Sequence, residues 1–155
     1  MEKQPASRNC FVCGRENPLS LKINFFANEQ GLVKAKVKIA DLYEGYPGMV
    51  HGGVIAAMLD EAAGRSHMQG PNDFMVTVQL NIRYRKPVPS NEELLLIGVA
   101  GQRKGRIAKA KSQVLLEDGT VLAEAEGVFV DLPQEKIDEV DPSLLGWQVY
   151  PDEVE

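Results

Sequence analysis

The segment "MVHGGVIAAMLDEAAG", Met49 to Gly64, constrains the fold more than any other part of the chain. Its apolar residues recur at helical spacing, whereas the ordered stretches on either side alternate apolar and polar residues with period two. A lone amphipathic helix among strands can bury its apolar side only against the sheet those strands build. Two features of the helix are costly. Gly52 and Gly53 occupy its first turn, where each costs roughly 1 kcal/mol relative to alanine in a helix interior, and the adjacent acids Asp60 and Glu61 sit near its centre.

The strand signals frame this helix. After "NPLS" comes "LKINFFANE", then a turn at Gly31 and "LVKAKVKIA", in which Val33, Ala35, Val37 and Ile39 alternate with Lys34, Lys36 and Lys38. Residues 40–50 contain Gly45, Pro47 and Gly48 and read as loop, and the helix that follows is expected to run to a stop at Gly70-Pro71. Beyond it, "FMVTVQLNIRYRKPVP" alternates Val76, Val78, Leu80, Ile82 and Tyr84 against Thr77, Gln79, Asn81, Arg83 and Arg85, until Pro87 and Pro89 end the run. Three more strand-like stretches cover 92–103, 106–117 and, after the hairpin signal Asp118-Gly119, 120–131. Two strands, one long helix and four strands in meander order predict an α+β fold whose antiparallel sheet covers the helix.

The chain then divides into a lead-in over 1–19, a folded unit over 20–132 and an acidic tail over 133–155, with "LLGW" at Leu144 to Trp147 as the tail's anchor. A length of 155 residues is enough to bury a core without disulfides or metal. The longest apolar run, "LLLIGVAG", falls far short of the roughly 18 residues a membrane span needs, and "MEKQPASRN" has no signal-peptide core. These features predict a cytoplasmic protein without a membrane partner. The tail holds seven acids against one base, Lys136, and so accounts for more than the whole net charge of −5. The near-neutral remainder has no basic stripe of the kind nucleic acid requires, which leaves small molecules as the expected partners.

Cys10 and Cys13 in "NCFVCGRENP" are the only cysteines. A Cys-x-x-Cys fits redox chemistry, half of a zinc site, or small buried residues in a lead-in. Closed tetrahedral zinc takes four ligands, and only His51 and His67 remain among the usual nitrogen donors, so such a site would need a second copy or an unusual ligand set. Gly14, Asn17 and Pro18 after the pair are turn residues rather than the start of a redox helix. The expectation is a buried lead-in with no metal.

At 100° per residue, Asp60 shares a face with Gly53, Ala56, Ala57 and Gly64, opposite Ile55, Met58, Leu59 and Ala62. Small neighbours let a ligand or another backbone approach closely. Glu61 falls on the Met58 side with Arg65 four residues on, the favourable order for an ion pair. Gly52 and Gly53 offer the helix's first N–H groups, which lack internal acceptors and lie at the positive end of the dipole, where an oxyanion binds. Eight residues of helix separate Gly52 from Asp60, about 12 Å at 1.5 Å per residue, too far for both to act on one carbonyl. Two helices packed antiparallel about a twofold axis would bring Gly52 of one beside Asp60 of the other.

These residues resemble the His-Gly-Gly…Asp signature of hotdog-fold acyl-CoA thioesterases of the phenylacetate-degradation type. The resemblance extends through "NCFVCGRENPLSLKINF", "YEGYPGMVHGG", "LDEAAG" and "TVQLNIRYRKPVP", roughly residues 9–131. It implies a hotdog fold, an antiparallel sheet wrapped around one long central helix, with units dimerising through their sheets and a dimer of dimers left open. It also implies hydrolysis of an acyl-CoA thioester, CoA being part of the substrate and no cofactor resident. Carried over by position, Gly52 holds the thioester oxygen, His51 orients the helix start, Asp60 is the carboxylate, and Thr77 positions water or the acid; Gly53, Gly48 and Asn81 are expected around the substrate. Several family members have Asn or Gln six residues before the histidine, where this chain has Gly45. Asp60 acts either as nucleophile, through an anhydride, or as general base on water. For the CoA phosphates, Arg103, Lys104 and Arg106, or Arg83, Arg85 and Lys86, are the candidate groups. A hydratase or dehydratase and a non-catalytic acyl-CoA-binding module are the alternatives.

Overall fold

The computed structural model describes residues 1–70 and 73–152. Pro71, half of the expected helix stop, and Glu153 and Glu155 of the acidic tail lie outside the described residues. The elements are β1 (Glu2–Lys3), β2 (Phe26–Ala27), β3 (Leu32–Lys38), α1 (Gly52–Arg65), β4 (Met75–Tyr84), β5 (Glu93–Lys104), β6 (Ile107–Leu115), β7 (Val121–Asp131), α2 (Gln134–Asp138) and α3 (Pro142–Leu145). The strands form one antiparallel sheet in the order β1-β2-β3-β5-β6-β7-β4, and α1 packs against its inner face.

The alternating residues of β3 do what their period dictates: Val33, Ala35 and Val37 are buried, as is Ile39 just beyond, while Lys34, Lys36 and Lys38 are exposed. They meet Ile55, Met58, Leu59 and Ala62 of α1, together with Leu94, Leu96, Val114, Ala123 and Ala125 from the next strands. The helix lies very close to the sheet. At Gly98 in β5, a methyl group would sit 2.0 Å from the Ala62 carbonyl oxygen, so only glycine admits α1 at this depth. Ser112 in β6 donates its hydroxyl to the Leu59 carbonyl at 2.7 Å, a second tie between sheet and helix.

Four expectations change. The stretch "LKINFFANE" contributes only Phe26–Ala27 to the sheet, which extends outward to β1 through the lead-in. The helix ends at Arg65, before Gly70, because Ser66 donates its hydroxyl to the Ala63 carbonyl at 2.6 Å and three-residue turns carry the chain through Met68. The last four strands are not a simple meander: β5, β6 and β7 are, but β4 pairs with β7 at the far edge. The chain must therefore return across the sheet after Tyr84, and it does so through Val88, which is buried.

The fourth change decides the site. β4 carries a bulge between Thr77 and Gln79, one extra residue against β7. Met75 and Thr77 face the helix on one side of it, and Leu80, Ile82 and Tyr84 on the other, so the inward face switches parity. Val76 and Val78 are left on the outside, 50% and 63% exposed. The lead-in and tail close on each other: Ala6 and Gln148 exchange backbone hydrogen bonds of 2.9 and 3.2 Å, and Trp147 packs edge-on to Phe74 at 5.2 Å. No helix among the described residues is long and apolar enough to cross a membrane.

Candidate active site

His51 is the N-cap of α1. Its backbone is extended (φ −58°, ψ 137°), and its Nδ1 accepts the Gly53 N–H at 2.9 Å. That bond places the ring proton of the neutral imidazole on Nε2. The His51 carbonyl takes the N–H groups of Val54 and Ile55 at 3.0 and 3.1 Å. Of the first-turn donors, only the Gly52 N–H has no acceptor among the described residues. The ring of His51 thus uses the second glycine's donor and leaves the first one bare. Gly45 packs beneath it, where a side chain would begin 3.4 Å from the His51 Cα, in ordinary van der Waals contact with the histidine. Tyr84, which the sequence reading did not assign to the site, donates its hydroxyl to the Gly52 carbonyl at 2.8 Å. The period-two alternation already places it on the inward face with Leu80 and Ile82, but no local pattern names its partner, a carbonyl far back along the chain.

Asp60 faces the opposite end of the open side. Thr77 donates its hydroxyl to Asp60 Oδ1 at 2.7 Å. Burial pushes the Asp60 carboxyl above the usual range; the Thr77 hydrogen bond works against this, and the charge of Glu61 adds to it. Ala56, Ala57 and Gly64 on the same face are only half-buried, whereas Ile55, Met58, Leu59, Ala62 and Ala63 are buried. Glu61 is turned away and accepts from Arg65 Nε at 2.8 Å.

The structure brings His51, Gly52 and Gly53 together at one end of α1, and Asp60 and Thr77 near the other. It does not bring the two groups to one point within a chain. Gly48 lies in the preceding exposed loop with φ +78°, its carbonyl accepting the Ser90 N–H. Asn81 is on the outer face of the sheet, in a groove with Val99, Lys111 and Glu126, on the side away from α1. His67, the other histidine, is buried with Nε2 2.7 Å from the Lys109 carbonyl oxygen.

A groove of about 650 Å³ runs from the helix N-terminus, lined by Tyr46, Met49, Gly52, Tyr84, Arg85 and Lys86. Of the two candidate basic groups, one sends Arg85 and Lys86 to this groove beside the bare Gly52 N–H, with Arg85 paired to Glu124 at 2.5 Å, while its Arg83 lines the outer-face groove with Asn81. In the other, Arg103 pairs with Asp131 at 2.5 Å, and Arg106 donates to the carbonyl of the same residue.

The family model described as the thioesterase superfamily matches residues 47–123, from the loop before α1 to the start of β7. The chain is 26% identical over 137 residues to the acyl-coenzyme A thioesterase THEM4 of Bos taurus, an alignment covering 87% of this chain and 56% of that one. It is 31% identical over 97 residues to the acyl-coenzyme A thioesterase THEM5 of Homo sapiens, covering 60% and 38%. The alignments thus span 56% and 38% of the lengths of these two curated relatives. Among solved structures, a thioesterase superfamily protein superposes with a TM-score of 0.73 at 35% identity, covering 79% of this chain and 63% of the other. A Bacillus halodurans protein crystallised with CoA gives 0.64 at 27% identity, covering 74% and 77%. The fold is shared with these proteins, and residues 47–123, which include all of α1, form a thioesterase superfamily domain.

Proposed function

We propose that this chain hydrolyses an acyl-CoA thioester to the free acid and CoA, in a site assembled from two copies. The observation that carries the proposal is the pairing, on one helix, of a bare N-terminal N–H at Gly52 with a carboxylate at Asp60 that burial makes more basic. The thioester oxygen accepts from the Gly52 N–H, and the helix dipole favours the negative charge that gathers on it in the transition state. Asp60 then attacks the carbonyl carbon, expelling the CoA thiolate and leaving an anhydride for water to cleave. Alternatively, it takes a proton from the water that attacks. Thr77 holds the carboxylate in place in either route. The names of the bovine and human relatives and the CoA in the Bacillus halodurans structure support this substrate class. The loop and helix motifs resemble the phenylacetate-degradation type.

The separation along α1 calls for a twofold dimer. β4 is an edge strand whose outward Val76 and Val78 are exposed beside Thr77, a surface that a second copy would cover. Arg85 and Lys86 in the groove next to Gly52 are placed to meet CoA phosphates. CoA enters as part of the substrate, and the steps above need no resident cofactor.

Thiol release from short, medium, long and aryl acyl-CoAs tests the reaction, and mixed subunits test the shared site. Gly52→Pro deletes the N–H at the helix position that best tolerates proline, after a residue already in the extended conformation proline demands. Mixed with Asp60→Asn subunits, it is expected to form heterodimers with one intact site of two and up to half the wild-type activity. No recovery after demonstrated subunit exchange returns the mechanism to a single chain.

A further inference from the structure

Away from the open side of α1, three groups from two segments converge. The sulfurs of Cys10 and Cys13 and a carboxylate oxygen of Glu61 all lie within 4.8 Å of one another. Sequence spacing offers only the two cysteines; the third group comes from the central helix, far along the chain.

The local backbone presents both sulfurs to one point. The chain turns through Phe11 and Val12, and Cys10 Sγ accepts the N–H groups of Val12 and Cys13 at 3.3 and 3.4 Å. Gly14 closes the turn by donating its N–H to the Cys10 carbonyl at 2.8 Å. A methyl group at Gly14 would fall 2.3 Å from that same oxygen, so the turn is tight enough to require glycine. Two backbone donors on one sulfur favour its thiolate form.

The third group is equally fixed. Arg65 is 3% exposed and holds Glu61 Oε1 through Nε at 2.8 Å. Its Nη1 donates to the Pro5 carbonyl at 2.9 Å, and its guanidinium lies over the rings of Phe25 and Trp147 at 4.6 and 5.5 Å. A clamped arginine orients the carboxylate, as hydrogen-bonded partners do for metal ligands.

We propose that Cys10, Cys13 and Glu61 bind one divalent transition-metal ion, zinc by the softness of its two thiolate ligands, and that this ion fastens the lead-in to α1. Charge supports the assignment. Two thiolates and a carboxylate carry three negative charges, Arg65 supplies one positive, and a divalent cation brings this largely buried cluster to neutrality. On binding, the two thiols release their protons to solvent and no group changes oxidation state. Cys10 is only half-buried, so water can fill the fourth tetrahedral position. A Cys10–Cys13 disulfide would need an oxidant and would give Glu61 no role at the sulfurs. The proposal does not depend on the thioesterase reading.

The test is titration of the full chain, reduced and stripped of metal, with Co²⁺. The expected result is near-ultraviolet thiolate-to-cobalt charge transfer and visible tetrahedral bands, saturating at one ion per chain and displaced by Zn²⁺, with a higher Tm in the zinc-loaded protein. Cys10→Ser and Cys13→Ser should abolish the charge-transfer band, and Glu61→Gln should weaken Co²⁺ binding at least about tenfold. If the serine variants do not fold, the wild type and Glu61→Gln decide. Absence of the charge-transfer band in the reduced wild type overturns the proposal, whether or not the cysteines join in a disulfide in air, and so does wild-type Co²⁺ affinity in Glu61→Gln.

Discussion

Asp60 and Glu61 are neighbours in sequence, and the 100° turn between them sends them to different faces of α1. Asp60 stands among Ala56, Ala57 and Gly64 on the open side, with a single hydrogen bond from Thr77 and a carboxyl that burial makes more basic. Glu61 stands against the lead-in, paired to an arginine whose side chain is 2% exposed. One acid keeps most of its acceptor capacity, and the other binds two parts of the fold together. The difference teaches that reactivity on this helix is decided by face, since propensity, charge and depth along the axis are almost the same for both.

The largest expected effect breaks this comparison on the open side. Asp60→Asn should lower thioester turnover at least about a hundredfold, the scale for loss of a positioned base or nucleophile, measured by thiol release. Stability should move the other way. A carboxyl whose folded pKa lies above its unfolded value costs stability when ionised. That cost is absent below the unfolded pKa and complete above the folded one, so at neutral pH the asparagine variant should melt at the same or a higher temperature.

Glu61→Gln should reverse that pattern. It removes the charge facing a buried guanidinium but keeps an acceptor for it, so a loss of about 1–2 kcal/mol is expected, read as a lower Tm or denaturant midpoint. Turnover should stay far closer to wild type than in Asp60→Asn. An inactive Glu61→Gln beside an active Asp60→Asn would exchange the two faces and with them the proposed mechanism.

The parts of this arrangement that were legible in the sequence are those set by local period. Val33, Ala35 and Val37 follow the two-residue repeat into the core, and Ile55, Met58, Leu59 and Ala62 follow the helical one. His51, Gly52 and Asp60 were legible as a group because one helix carries them all. What was not legible depends on partners distant in the chain. The bulge in β4 exists only in its pairing with β7, and without it the strict alternation would put Thr77 on the outer face and Val76 and Val78 inside. Tyr84 lies on the face that alternation gives it, but its partner, the Gly52 carbonyl, is set by the tertiary fold. The early end of α1 depends on side-chain capture at Ser66, and the edge position of β4 on a return crossing that no local pattern encodes. Glu61 beside Cys10 and Cys13 is likewise a tertiary fact.

The smallest expected effect sharpens the comparison, because it separates what burial does to Asp60 from what its one partner does. The Thr77 hydroxyl is the only cause drawing the Asp60 carboxyl back toward its ordinary range; burial and Glu61 both push it up. Thr77→Val removes that influence and keeps the β-branched shape of a strand residue, so the carboxyl should rise further. Since either mechanism uses the ionised acid, the acidic limb of the kcat/KM profile should move to higher pH. The loss should be about threefold to tenfold on that limb, the worth of one ordinary hydrogen bond, and should shrink as the pH rises and Asp60 ionises in both proteins. A loss of equal size at every pH would mean that Thr77 only aims the carboxylate. An unchanged profile would mean that the 2.7 Å contact between Thr77 and Asp60 takes no part in turnover.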